Sequence, residues 1–420
     1  MNPMGYSSLT EGNHREDVTR EDLIRDYFYG GYTNLEICGI LLLRHEIVIS
    51  IRHLKRILAM MGLRRRMLQN TVEASYAIME ELNGSGSSLG CRGLQRRLLS
   101  HGLVVSRLGI CTSCQKRVVG NKEQNILEQV LAIQKELDPI GVLERKQRRL
   151  KRRVYHNKGP NYLLHVDGYD KLKRFGFAIH GCVCGFSRRV LWPRVGRSNN
   201  DPKVIASYFL DFLRELRGVP RCIRSDEGTE NCIIADIQRA FRWYHDDDMA
   251  GEKSFLTGSS PSNQRIERWW LSNKQGGGQF WIEFFSNLEH MGKFSTSDHV
   301  QLECLRFCFT KLVQDDLNRC AQEWNQHRIR HTKSAELPGG KPDLMYYLPE
   351  LYGTHDFKME IDMADVDAAE EFCIYQSAFG CLPEFEEECK NIMFENSLLL
   401  PTNHSEALAL YEWLVSYFNA

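Results

Sequence analysis

The stretch PRCIRSDEGTEN, residues 220–231, indicates both the fold and the chemistry of this chain. A short apolar strand around Ile223 runs into Asp226, and Gly228 then turns the chain towards Glu230. A carboxylate at the end of a buried strand is costly unless another group compensates its charge. The rest of the sequence must therefore supply a partner for Asp226.

The residues before this stretch predict a mixed sheet. The segments NYLLHVDGYDKL (161–172), FGFAIHGCVC (175–184) and RRVLWPRV (188–195) are typical of three consecutive strands. DPKVIASYFLDFLRELRG (201–218) is typical of an amphipathic helix that stops at its final glycine. Three strands, a helix and a fourth strand predict an α/β sheet. In such a sheet Asp167 and Asp226 can lie side by side.

A third carboxylate follows in SSPSNQRIERWWLSNKQGGG, residues 259–278. Glu267 lies near the start of a predicted helix, and Lys274, two turns further on, points to the same side. Arg265 and Arg268 flank the acid and are expected to contact DNA. Three converging carboxylates would repel one another without cations, and their hard oxygen ligands favour Mg²⁺ or Mn²⁺. Two such ions about 3.5–4 Å apart can promote phosphodiester displacement. The alternative is three unrelated surface acids among the 54 in the chain.

Three motifs resemble those of retroviral-integrase-like enzymes. SDEGTEN (225–231) resembles their Ser-Asp-x-Gly-x-Glu signature, and NQRIER (263–268) resembles their Asn-x-x-x-Glu-Arg motif. HVDGYDKL (165–172), followed by GCVCGFSRRVLW (181–192), resembles the first catalytic aspartate and the next strand pair. The order Asp, Asp, Glu is that of the family, with 40 residues between Asp226 and Glu267.

The resemblance covers roughly residues 155–335 and is greatest to cellular integrase-core proteins derived from DDE transposons. It implies an RNase H-like catalytic core over 154–335, with a mixed five-stranded sheet and helices. It also implies catalytic and metal-binding roles for Asp167, Asp226 and Glu267, a Mg²⁺ cofactor, and DNA strand cleavage and transfer. Lys274 matches a position that contacts DNA, and a homo-oligomer is implied. Cys184 departs from the pattern, because the family has aspartate there.

Two basic helical units precede the core. Residues 21–82 predict a helix containing Leu35, Ile37, Ile40 and Leu41, a short break, and a second helix with Ser50 as its N-cap. Such a pair is typical of a helix-turn-helix module. Residues 88–153 predict a similar unit that ends in the basic run ERKQRRLKRR (144–153). The basic residues expected to contact DNA are Arg52, Lys55 and Arg56 in the first unit, and Arg96, Arg97 and Arg107 in the second.

The bulk properties place few constraints on function. Residues 1–20 are predicted to be a disordered tail, and 336–420 an acidic extension. From Pro349 onwards there are fifteen Asp or Glu and two Lys, although the whole chain has zero net charge. The basic remainder favours a polyanion partner. No membrane span, secretory signal or small-molecule cofactor is expected, and the fourteen cysteines favour reduced thiols in a cytosolic or nuclear protein. As a DNA-binding protein, the chain is expected in the nucleus.

Two hypotheses for the function remain open. The first is a polynucleotidyl transferase or endonuclease of the DDE integrase type, which the complete set of three acids favours. The second is a domesticated, catalytically silent protein that binds nucleic acid or chromatin, which Cys184 and the acidic extension favour.

Overall fold

The computed structural model describes residues 18–64, 76–77, 80–81, 84–85, 91–103, 155–258, 263–331 and 337–419. Several predictions from the sequence lie outside these ranges. They concern most of the N-terminal tail, Arg107, the basic run 144–153 and the loop 259–262.

The centre of the molecule is a five-stranded sheet. Its strands are β1 (Leu164–Tyr169), β2 (Ala178–Cys184), β3 (Val190–Gly196), β4 (Ile223–Ser225) and β5 (Phe255–Thr257). They lie in the order β3-β2-β1-β4-β5; β1, β2 and β3 are antiparallel neighbours, whereas β4 and β5 run parallel to β1. This order and these directions are those of an RNase H-like fold. The predicted fold class is confirmed, although the residue pattern alone did not reveal the short strand β5.

Helices precede, connect and follow these strands. They are α1 (Arg20–Tyr29), α2 (Asn34–His45), α3 (Ile51–Met60), α4 (Cys91–Ser100), α5 (Pro202–Leu216), α6 (Cys232–Phe241), α7 (Gln264–Asn273), α8 (Gln279–His290), α9 (His299–Gln326), α10 (Pro342–Tyr347), α11 (Met363–Ala368), α12 (Pro383–Glu395) and α13 (His404–Phe418).

The two faces of the sheet are buried by different helices because strand side chains alternate between faces. Leu164, Val166 and Cys182 face a core built mainly with α5 and α6. Ile179 and Val183 face a second core formed by α7, α8, α9, α12 and α13. Asp167 and Tyr169 are two residues apart in β1, so their side chains lie on the same face of the sheet. Tyr169 belongs to the second core, and Asp167 therefore lies on the face that α7 covers.

Helix α5 follows the prediction from its sequence closely. The Asp201 carboxylate accepts the backbone N–H of Lys203 at 2.9 Å, and proline occupies the first turn. The helix ends at Leu216, and Arg217 then takes a left-handed backbone conformation.

The N-terminal helices form their own apolar core, to which α10 contributes. The predicted N-cap is confirmed, because the Ser50 hydroxyl accepts the backbone N–H of His53 at 3.2 Å. The predicted helix is confirmed; of its apolar residues, Ile37, Ile40 and Leu41 are buried, whereas the side chain of Leu35 is 70 % exposed. Leu35 lies on the side of α2 that faces solvent, because the neighbouring helices pack only against the opposite side.

The acidic C-terminal residues pack against the core. Helix α13 lies along α9 and buries Tyr411 and Leu414, as its apolar face predicts. Arg214 of α5 pairs with Asp367 at 3.1 Å and Glu370 at 2.9 Å, which fastens another part of the segment. Within the described ranges, no helix is both long and apolar enough to cross a lipid bilayer.

Candidate active site

Two of the predicted acids lie on neighbouring central strands. Strands β1 and β4 are parallel, with Leu164 opposite Ile223 and His165 opposite Arg224. The same register, continued two residues further, sets Asp167 opposite Asp226. Asp226 directly follows the last residue of β4, so the strand delivers its carboxylate to the rim of the sheet.

Helix α7 brings Glu267 to the same place because Asn263 attaches the start of this helix to β1. The Asn263 side-chain amide donates to the Val166 carbonyl at 2.8 Å, and its amide oxygen lies 2.7 Å from Nδ1 of His165. One turn into α7, Glu267 follows. Further along, the indole N–H of Trp270 donates to Oδ2 of Asp167 at 2.9 Å. Asn263 and Trp270, which lie on either side of Glu267 in the sequence, therefore hold α7 against β1.

The acids influence one another electrostatically. Burial, together with the negative charges of Asp226 and Glu267, raises the pKa of Asp167 to about 7, against the hydrogen bond from Trp270. A fourth acid belongs to the group: burial raises the pKa of Glu230, and Asp226 and Asp170 add to the effect. The rim of the sheet is therefore a cluster of mutually repelling acids.

The donor set of this cluster fits a hard divalent cation. One carboxylate oxygen of Asp226 is buried and accepts no hydrogen bond from the residues that the structure describes. A buried oxygen of this kind costs free energy unless a cation or a donor compensates it. Among the residues that the structure describes, however, no three acidic, histidine or cysteine side chains lie at the spacing of a metal-binding group. The acids converge without adopting the geometry of a finished metal centre.

His165 is a structural residue in this arrangement, as the sequence favours. The ring is fully buried between Asn263 and Tyr155, whose hydroxyl lies 2.8 Å from Nε2. Burial lowers the pKa of His165 to about 3, so the ring is neutral. Trp269 and Trp270 are likewise buried in the core, as expected.

The predicted DNA-contact residues occupy different environments. Arg52, Lys55 and Arg56 lie on the exposed face of α3. Lys274 is exposed in a wide helical turn, Lys274–Gly278, that joins α7 to α8. In α7, Arg268 is exposed, whereas the guanidinium of Arg265 stacks 4.1 Å from the ring centre of Tyr155.

The expectation that Arg97 lies on an exposed basic face is wrong. Its side chain is fully buried and pairs with Glu323 at 2.8 Å and Glu81 at 3.0 Å. It also donates to the carbonyl of Gly276 at 2.7 Å. Arg96, the neighbouring residue, is exposed and donates to the Glu323 carbonyl at 3.2 Å. These partners are distant in sequence, so no local pattern could have revealed them.

Sequence reasoning left three residues of the site without a role. Glu230 stands in the opening stretch, and the crowding of two acids there was its only signal. Asn263 begins the predicted helix, but its attachment to β1 depends on tertiary structure. Trp270 looks like an ordinary core residue, and its indole N–H reaches Asp167 only because α7 crosses β1.

Comparison with known proteins identifies one matching family. Residues 154–338 match the family model described as Integrase core domain. The matched segment contains β1 to β5 and helices α5 to α9, and therefore all three acids of the candidate site. No curated protein matches the chain.

Proposed function

We propose that this chain, whose residues 154–338 match the integrase core domain, is a retroviral-integrase-like, transposon-derived protein that binds DNA and cleaves and joins DNA strands. Asp167, Asp226 and Glu267 are its catalytic acids in this proposal. The observation that carries it is the parallel register of β1 and β4, which, when continued two residues beyond His165 and Arg224, sets Asp167 opposite Asp226.

The three acids would hold Mg²⁺ or Mn²⁺. Such ions, when bound, supply activation of the attacking oxygen and stabilisation of the leaving oxygen in phosphodiester displacement. The chain itself contributes position and charge. Trp270 orients the Asp167 carboxylate, Asn263 fixes α7 relative to β1, and Asp226 offers an oxygen that has no other partner. Burial and the neighbouring acids raise the pKa of Asp167 to about 7, so this carboxyl group exchanges its proton near neutral pH.

The exposed basic residues support contact with the DNA backbone. Arg52, Lys55 and Arg56 project from α3, which follows α2 after a short turn in a helix-turn-helix-like order. Lys274 and Arg268 lie on or next to the helix of Glu267 and would contact phosphates near the acids. We further propose a homo-oligomer, because joining two DNA ends requires two active sites. We also propose a nuclear location, because the proposed substrate is DNA.

A catalytically silent DNA-binding protein is the second candidate. The observation in its favour is that the described acids do not form a group at metal-binding spacing. In that case, the basic helices would still bind DNA and the core would serve as a scaffold.

A nicking assay on supercoiled DNA distinguishes the two candidates. With Mg²⁺ or Mn²⁺, the unmodified chain should nick the DNA, and Asp226→Asn should reduce the rate more than about a hundredfold, because it removes a metal ligand. Asp248→Asn is the matched control, since Asp248 is an exposed acid outside the site. Equal rates for the unmodified chain and Asp226→Asn would end the enzymatic proposal.

DNA binding is tested separately. The affinity for a duplex should fall steeply with salt concentration if phosphate contacts dominate, and Asp226→Asn should leave it unchanged. A flat salt response would contradict the proposed contacts.

A further inference from the structure

The carboxylate of Glu230 lies directly against Gly228. Glu230 belongs to a short helical turn, Thr229–Asn231, that leads from the Asp226 loop into helix α6. Its side chain folds back so far that a Cβ added to Gly228 would overlap both carboxylate oxygens. The absence of a side chain at Gly228 therefore provides the space for this carboxylate. Glu230 itself is only partly buried, so it keeps contact with solvent.

Asn231 holds this carboxylate with its side chain. Its amide N–H donates to Oε1 of Glu230 at 3.0 Å. Asn231 is buried and occupies the N-cap position of α6, where an asparagine side chain usually accepts a backbone N–H of the helix. Here it makes no such capping hydrogen bond. The side chain is used instead for Glu230 and for a second partner, His180.

Two buried aromatic residues hold Asn231 in turn. Nε2 of His180 lies 3.2 Å from the amide oxygen of Asn231, and the indole N–H of Trp192 donates to Nδ1 of His180 at 3.3 Å. An indole nitrogen can only donate and a carboxylate can only accept, so both ends set the same direction of the hydrogen bonds. The ring proton of His180 is therefore on Nε2. We call Trp192, His180 and Asn231 the buried relay.

The strand register places the buried relay at the same end of the sheet as the acids. His180 lies opposite Gly168, the residue that follows Asp167 in β1. His180 and Cys182 are two residues apart in β2, so both face the core built with α5 and α6. The buried relay therefore reaches the rim of the sheet from the α6 side, whereas Glu267 reaches it from the α7 side.

No lysine or arginine within the described ranges forms an ion pair with Glu230. Lys173, which follows β1, pairs with Asp170 at 3.4 Å instead. The buried relay thus holds an acid close to other acids, which is costly unless a cation joins them. Hard cations such as Mg²⁺ retain several waters, and a carboxylate beside the ion can accept hydrogen bonds from them. Partners of this kind strongly affect the affinity for the metal.

We propose that Glu230 is a fourth acid of the metal site and that the buried relay positions its carboxylate. The proposal deepens the proposed function, on which it rests for the cation held by Asp167, Asp226 and Glu267. Glu230 would accept hydrogen bonds from the waters that this cation retains and would not replace one of the three acids. The residues of the buried relay touch neither the cation nor the DNA, and they act through Glu230.

The first arm of the experiment measures the Mn²⁺ affinity of the full chain by electron paramagnetic resonance, which needs no catalysis. Glu230→Gln removes the charge and keeps the shape, so it should weaken binding about tenfold. Gly228→Ala should also weaken binding, because the added methyl group displaces the end of a flexible side chain at a backbone conformation that alanine adopts. Glu227→Gln is the matched control, since Glu227 is an exposed acid next to Asp226. It should leave the affinity unchanged.

The second arm tests whether the buried relay acts through Glu230. Asn231→Leu removes both hydrogen bonds at similar volume and should weaken Mn²⁺ binding about as much as Glu230→Gln does. The double variant should bind Mn²⁺ no more weakly than Glu230→Gln alone, because no carboxylate is left to position; independent effects would add. Thermal unfolding in EDTA measures the stability of each variant separately. If Asn231→Leu does not fold, Trp192→Phe replaces it, since it removes the first donor and keeps an aromatic ring in the core.

The results separate this inference from the proposed function. If the unmodified chain binds Mn²⁺ and nicks DNA, but Glu230→Gln binds Mn²⁺ equally well or no more weakly than Glu227→Gln, the inference is wrong and the proposed function stands. If Mn²⁺ binding depends on Glu230 but no DNA is nicked, the fourth acid stands and the enzymatic proposal fails. If the double variant binds Mn²⁺ more weakly than Glu230→Gln, the positioning role of the buried relay is excluded. If the unmodified chain binds no Mn²⁺, both proposals fail.

Discussion

Two regions of this protein bury several charges, and they treat those charges in opposite ways. The first is the network around Arg97, between α4 and the core. The second is the acidic rim formed by Asp167, Asp226, Glu230 and Glu267. In the network each charge has an opposite partner, whereas in the rim charges of one sign have been brought together.

The Arg97 network is well satisfied. The guanidinium of Arg97 reaches Glu81, Glu323, the hydroxyl of Ser85 and the carbonyl of Gly276. Glu81 also lies 3.4 Å from Arg319, which in turn pairs with Asp316. Asp316 accepts the indole N–H of Trp281 at 2.8 Å, so the network contacts both the wide turn, at Gly276, and helix α8, at Trp281. Here buried charge fixes the relative position of two parts of the fold.

In the acidic rim, by contrast, the charges that act on Asp167 are those of other acids, Asp226 and Glu267. The pKa of Asp167 rises because burial and like charges both disfavour its ionised form. Perturbed acids in a group are more common at functional sites than elsewhere. The difference between the two regions therefore predicts opposite consequences of removing a charge: a loss of stability in the network and a gain in the metal-free rim.

The largest effect is expected for Arg97→Met. The variant leaves Glu81 and Glu323 partly buried without their main counter-ion, so it should lower the free energy of unfolding by about 3–5 kcal/mol. Urea denaturation measures this loss. Arg25→Met is the matched control, since Arg25 forms only an exposed pair with Asp22 and should change stability by less than about 0.5 kcal/mol. A loss below 1 kcal/mol for Arg97→Met would show that the network contributes no more than a surface pair.

The next largest effect is an increase in the free energy of unfolding, and its size depends on pH. The folded pKa of Asp167, about 7, lies above the usual value near 4, so the folded chain holds a proton that the unfolded chain loses. This group therefore contributes stability below about pH 4, and the contribution is lost as the pH rises towards 7. Asp167→Asn lacks this penalty and keeps an acceptor for Trp270. Without metal, it should be more stable than the unmodified chain by about 1–3 kcal/mol above pH 7.

Denaturation in EDTA between pH 5 and pH 8 tests this sign. The stability difference between Asp167→Asn and the unmodified chain should grow through this range and become constant above about pH 7. A stability difference that does not change with pH would mean that folding does not raise the pKa of Asp167.

The contrast between the two regions also explains what the sequence could predict. Asp167, Asp226 and Glu267 were predictable because each stands next to a local signal: two strand ends and a helix start. Their approach follows from the register of two parallel strands, which the order of elements largely dictates. Arg97 was not predictable in the same way. It looks like any basic residue of an amphipathic helix, and its partner Glu323 is 226 positions away.

A similar argument applies to the smaller differences between the sequence-based predictions and the structure. Strand β5 has only three residues, too few for a period-two pattern to stand out. Leu35 fits the apolar pattern of α2 but faces solvent, because a periodic pattern does not say how wide a face the neighbours will cover. Glu230 carried a signal in its proximity to Asp226, but its burial depends on how the chain folds back over Gly228.

A third and smaller effect concerns metal addition. If the rim binds Mg²⁺ in the folded state only, a concentration about five times the dissociation constant should stabilise the unmodified chain by about 1 kcal/mol. Asp226→Asn should lose this response, because the partnerless oxygen of Asp226 belongs to the removed carboxylate. Thermal unfolding with Mg²⁺ and with NaCl of equal ionic strength measures the difference. Equal responses of both proteins would separate the acidic rim from metal binding.

The smallest effect on stability is expected within the rim itself. Glu267 is exposed, unlike Asp167, so its charge costs little to hold in the fold. Glu267→Gln should therefore change the metal-free stability by less than about 0.5 kcal/mol, even though it lowers the pKa of Asp167 by removing one neighbouring charge. The same variant should abolish metal-dependent nicking, since the proposed site needs all three carboxylates. A variant that is folded and as stable as the unmodified chain, but inactive, would assign Glu267 to chemistry rather than to structure. A variant that keeps full nicking activity would restrict the catalytic group to the two aspartates on β1 and β4.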